Sequence, residues 1–168
     1  MAIYTVKKLV NIHYNFSYTT TSNQMVSTVP MDLFYATSLD SEHPPTNIVD
    51  SDETTFWMTT GLFPQEAVLQ FKKPAQITRI TTVTGKVKNL IVYAATDKAL
   101  TEWAEIDSTT LPGQPIKQQE THQLNYQRTS YGVKVVVNKG WGQFAAIYLV
   151  RVEGPTVREE EAAPAEGE

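Results

Sequence analysis

Between Ala67 and Glu153 apolar and polar residues alternate with a period of two in one short segment after another, and almost nowhere do they recur at helical spacing. Ala67, Leu69 and Phe71 share one face, Pro74 interrupts, and Ile77 to Val83 continues rich in β-branched residues. Leu90 to Thr96 alternates again, and a shorter piece spans Trp103 to Ile106. Gln118 to Leu124 is polar and weakly patterned, as an edge strand is. The strongest segments come last: Tyr131 to Val137, with Val133, Val135 and Val137 on one face, and Ala145 to Glu153, read with Tyr148, Val150 and Val152 together. Turn residues separate the segments, at Asp97, Lys98 and Thr101 and at LPGQP over 111–115. Seven or eight short strands joined by turns predict an all-β fold, an antiparallel β-sandwich of the jelly-roll kind, in a single domain.

Outside that body, Ile3 to Leu9 alternates like a first strand, and 11–24 is rich in Asn, Ser, Thr and Tyr without a period. Met31 to Ser38 reads as another short strand. The expected organisation is therefore an N-terminal strand and loop extension over 1–30, the sandwich over 31–156, and a disordered acidic tail over 157–168. The tail, REEEAAPAEGE from Arg158, has too little apolar surface to pack.

Charge and composition narrow the function. The chain has 14 Lys and Arg against 18 Asp and Glu, and the tail holds one Arg and five Glu, so residues 1–157 carry 13 of each sign. A neutral body lacks the clustered basic excess that phosphate recognition needs, which argues against nucleic acid as a partner. No apolar run reaches the roughly 20 residues of a membrane span, so no membrane insertion is expected. MAIYTVKKLV lacks the apolar core and cleavage site of a signal peptide, and the absence of cysteine fits a reducing compartment.

The motifs that carry chemistry mostly fail on context. GWGQFA, over 140–145, spells G-x-G-x-x-A, but the sequel AAIYLVRVEG alternates as a strand where a dinucleotide site needs a helix, so a hairpin connection is expected. His13, His43 and His122 show no i, i+4 pairing for zinc, and no serine sits in a G-x-S-x-G elbow. Trp57 and Trp141 read as core. A non-enzyme is expected.

One stretch stands apart: HPPTNIVDSDETTFWMTTGLF, from His43 to Phe63. The double proline sets a turn, Thr46 and Asn47 are capping residues, and Ile48 and Val49 give an apolar face. Asp50, Asp52 and Glu53 then crowd three carboxylates together before Phe56 and Trp57 anchor the chain in a core. Such a loop is either solvated or holds a hard cation. It is no EF-hand, since Thr55 and Gly61 stand where that loop needs glycine and a bidentate Glu.

The run EHPPTNIVDSDETTFWMTTGLFPQEAVLQF over 42–71, with FAAIYLVRVEG over 144–154, resembles the discoidin or galactose-binding-like jelly-roll family. Within that family it is similar to the members that serve in the intraflagellar transport B complex. That resemblance implies a calcium-stabilised sandwich that forms a heterodimer with a Rab-like small GTPase, intraflagellar transport protein twenty-seven, alongside other transport-complex subunits. It places the protein in the cilium or flagellum and in the cytoplasm around the basal body. It also implies calcium ligands: Asn47, Asp50 and Thr55, with Asp52 through its backbone or side chain and Glu153 closing the shell from the last strand. Related proteins often carry Gly-Asn where this chain has Ser51 and Asp52, which leaves the turn without its glycine. The competing expectation is a glycan- or membrane-binding discoidin-like module.

Overall fold

The computed structural model of the chain describes residues 27–113 and 117–157. The strand expected at Ile3 to Leu9, the loop over 11–24 and the acidic tail from Arg158 lie outside the described residues. The elements in order are β1 (Ser27–Thr28), β2 (Met31–Ala36), a 3-10 turn (Pro45–Val49), β3 (Trp57–Met58), β4 (Gln65–Gly85), β5 (Val87–Ala95), β6 (Trp103–Thr110), β7 (Gln118–Gly140) and β8 (Ala146–Gly154). Every strand pairing is antiparallel. The described residues open with β1, whose Ser27 and Thr28 pair with Gly154 and Glu153, and Val29 behind it is buried.

Two long strands, β4 and β7, turn this ladder into a sandwich. The first part of β4, Gln65 to Gln70, lies between β2 and the Gly132–Val137 part of β7, which continues to β5 and then β6. The last part of β4, Arg79 to Gly85, lies between β8 and the Gln118–Gln123 part of β7. Each long strand therefore serves both layers and bends between them, as corners of packed sheets do.

The bend explains a departure from the pattern-based reading, in which Pro74 separated two strands. The β4–β7 register shifts three times between Gln70 and Arg79, and Pro74 falls in the first gap, where no ladder N–H is required of it. The strand runs on through the proline.

The core fills the space between the layers. Leu69, Ile77, Val133, Val135, Val137, Ile147, Val150 and Val152 are all buried there, and Leu69, the three β7 valines, Val150 and Val152 lie on the faces that the alternation predicts. In β8 a register shift opposite Val83 and Thr84 takes Tyr148 off the face of Val150 and Val152. Tyr148 is half-buried against Phe56.

The 140–145 connection is not a hairpin, because β7 and β8 do not pair with each other; they flank β4 on opposite sides. Gly140 makes this crossing possible. The Phe63 ring lies where a Cβ on Gly140 would stand.

Candidate functional site

The acidic stretch begins on the 3-10 turn. Pro44 is its N-cap and Pro45 its first residue, so Thr46 and Asn47 sit inside the turn rather than capping it. Ile48 points into the core and is fully buried. Asn47 donates from Nδ2 to the Phe56 carbonyl at 3.0 Å, tying the start of the loop to its end.

Beyond Asp50 the chain turns left-handed at Ser51, with φ 66°. Asp50 spans the turn with both oxygens: Oδ1 accepts the Asp52 amide at 2.8 Å and Oδ2 accepts the Thr55 hydroxyl at 2.7 Å. Asp52 repeats the device, its Oδ1 accepting the Thr54 amide at 2.8 Å and the Thr54 hydroxyl at 2.6 Å. The Asp52 carbonyl lies 2.9 Å from the Thr55 hydroxyl, which has one proton to share between it and Asp50. The Thr54 hydroxyl first, and its amide second, hold the Asp52 carboxyl below its ordinary value of 3.8.

The loop is pinned at its far end. Trp57 is buried and donates from Nε1 to the Ser38 carbonyl at 3.1 Å, and the Phe56 ring stacks on His43 with centroids 4.0 Å apart. Lys117 donates to the Glu53 carbonyl at 2.8 Å and sits 3.6 Å from its carboxylate. This tether from another part of the chain had no signal in the sequence, where Lys117 merely follows a proline-rich turn.

Asn47, Asp50, Asp52 and Thr55 are thus brought together in one hydrogen-bonded clasp. Glu153 is placed otherwise: its Oε2 pairs with the Arg79 guanidinium at 2.8 Å, and no hydrogen bond links it to the clasp. Among the described residues no three His, Asp or Glu side chains converge on a point that could hold a metal. The donors that do cluster are hard oxygens: the Asp50 carboxylate, the Thr55 hydroxyl and the Asp52 carbonyl are neighbours at 2.7 and 2.9 Å. That spacing suits adjacent ligands of one calcium shell, although six to eight oxygens complete such a shell.

Trp141 lies on the surface. It is 49% exposed, because the 140–145 connection passes over the end of the sandwich, where no second layer covers it. Its Nε1 donates to the Leu111 carbonyl at 3.1 Å and Lys88 Nζ stands 4.5 Å over its ring.

Residues 34–151 match the F5/8 type C domain, which sets the class: a discoidin-like jelly roll. Solved structures agree on the fold. The family 32 carbohydrate-binding module of C. perfringens NanJ in complex with galactose superposes with a TM-score of 0.66 at 18% identity, covering 77% of this chain and 99% of the module. Reduced XRCC1 bound to the DNA pol beta catalytic domain gives a TM-score of 0.68 at 14% identity, with 77% and 99% covered. Sequence relatives are narrower. The intraflagellar transport protein 25 homolog of Homo sapiens is 31% identical over 129 residues, which is 75% of this chain and 88% of that protein. Intraflagellar transport protein 25 of Chlamydomonas reinhardtii is 33% identical over 120 residues, 71% of this chain and 62% of that protein. The chain belongs to the intraflagellar transport protein 25 family of F5/8 type C domains.

Proposed function

We propose that this protein is a non-catalytic subunit of the intraflagellar transport B complex, acting in the cilium or flagellum. There it forms a heterodimer with a Rab-like small GTPase, intraflagellar transport protein twenty-seven. The observation that carries the reading is the match to the human relative, 31% identical over 88% of that relative's length. Mixing the chain with the GTPase at micromolar concentration and following both by size exclusion tests it. Co-elution supports the reading, and separate elution of two folded proteins sinks it.

The clasp is proposed to be structural in this protein, a calcium-stabilised joint between the 3-10 turn and β3. Asp50 and Thr55 would supply side-chain oxygens, Asp52 its carbonyl, and Asn47 would brace the loop, the remaining ligands being main-chain carbonyls and water. Calcium bound there would neutralise the crowded carboxylates and raise stability by mass action, about 4 kcal/mol at a thousandfold excess over its dissociation constant. Asp50→Asn is expected to abolish the rise in melting temperature on adding calcium. An unchanged calcium response in that variant would remove the clasp from the metal site.

A glycan-binding role has one observation in its favour, the exposed ring of Trp141. The ring face that a sugar would stack on is occupied by Lys88.

A further inference from the structure

At one end of the sandwich three large apolar side chains face solvent together. Leu62 is 92% exposed on the loop before β4, and Trp141 and Phe144, 49% and 43% exposed, stand on the 140–145 crossing. Two lysines lie on the aromatic rings: Lys86 Nζ is 4.1 Å from the Phe144 centroid and Lys88 Nζ is 4.5 Å from that of Trp141. Neither lysine forms an ion pair among the described residues. The surface between the two loops is concave, a groove of about 510 Å³ whose walls include Leu62, Phe63 and Gln143. A separate hollow of about 150 Å³ is lined by Lys86, Phe144, Phe56 and Tyr148. No Asp or Glu lines either one.

Exposed Leu62, Trp141 and Phe144 beside two lysines that form no ion pair among the described residues make half of an interface. We propose that this groove docks an acidic segment of a partner protein that carries Leu or Phe among its Glu and Asp residues. The apolar side chains would fill the groove beside Leu62, and the carboxylates would meet Lys86, which lines the second hollow, and Lys88, each held against its ring on the 140–145 crossing. The concavity favours a peptide over a lipid surface. Both rings are held down, Trp141 by its bond to the Leu111 carbonyl and by the lysine above it, so Leu62 alone stands free to enter a membrane.

The chain's own acidic stretch fits poorly as occupant. The last described contact before it, Val157 N–H to the Pro74 carbonyl at 2.7 Å, lies beyond the Gly154 end of β8. Lys86 lies near the Ala146 end, since Gly85 pairs with Ala146. With a rise of about 3.3 Å per residue the two ends of β8 are roughly 27 Å apart, farther than Glu159 to Glu161 can reach from Val157, and the longer stretch to Glu168 carries no Leu or Phe to fill the groove.

The test is fluorescence anisotropy of a labelled peptide of Glu-Glu-Leu-Phe repeats titrated with the full chain at low and at physiological salt. The proposal expects saturable binding that weakens with salt and falls about tenfold or more in both Leu62→Asp and Lys86→Glu/Lys88→Glu, with Lys73→Glu binding as the unmodified chain does. Thermal melts of the same variants establish that they remain folded. Absence of binding, or equal binding by all variants, overturns the proposal. So does sedimentation with phosphatidylserine vesicles that depends on Leu62 and resists competition by the peptide. None of these outcomes depends on the GTPase.

Discussion

Ser51 holds its backbone at φ 66°, a region that costs an ordinary L-residue about 1–2 kcal/mol. The Asp50 carboxylate offsets part of that cost by accepting the Asp52 amide across the turn. Ser51→Gly removes the steric cost and adds chain entropy to the unfolded state, so a net gain below about 1 kcal/mol is expected. Ser51→Val should instead lose more than about 1 kcal/mol in denaturant melts. The missing glycine was visible in the sequence as a weakness of the loop, but not the serine's tolerance of the angle, because the compensating bond is a matter of geometry. The pH response belongs to single residues as well. Hydrogen bonds from Thr54 depress the Asp52 carboxyl, and the Glu102 amide followed by the Thr101 hydroxyl depress that of Asp97. Each depressed carboxylate adds stability above its unfolded pKa, near 4, and loses it as pH falls through the lower folded value. Melting temperature should therefore hold between about pH 7 and 5 and decline below about pH 4. The decline should be shallower in Asp97→Asn, whereas an equal acid slope in that variant would contradict this cause.

The elements were legible where one face is buried. Val133, Val135 and Val137 alternate because β7 there is covered on one side by the second layer, and the pattern carries that burial. Continuity was not legible: Pro74 looks like a break, and only the register shift in the β4–β7 ladder shows why the strand passes through it. Tyr148 left its expected face for a similar reason, since a bulge inverts the count without altering the residues. The role of Glu153 is decided between two elements. Its partner Arg79 is on β4, with the two side chains 21% and 41% exposed. If this pair is all that Glu153 does, Glu153→Gln should cost less than about 1 kcal/mol and leave the calcium response intact. If Glu153 also closes the shell, the response to calcium disappears as it does in Asp50→Asn. Differential scanning fluorimetry of both variants with and without calcium separates the two outcomes.

For the whole molecule, the alternating segments identified the sandwich, and the run over 42–71 identified the family. Neither placed Trp141, whose exposure is set by a crossing between layers rather than by its neighbours in sequence. The surface that matters for assembly is accordingly the part of the molecule that sequence patterns report least. A chain with two bent strands shared between layers and a clasp pinned at both ends presents rigid faces to a partner, as suits a subunit of a larger assembly. The most direct test of that account is multi-angle light scattering on an equimolar mixture of the full chain, 18.8 kDa, with the Rab-like GTPase. The account predicts a single peak whose mass is the sum of one copy of each. Two peaks at the separate masses, with both proteins folded, would contradict it.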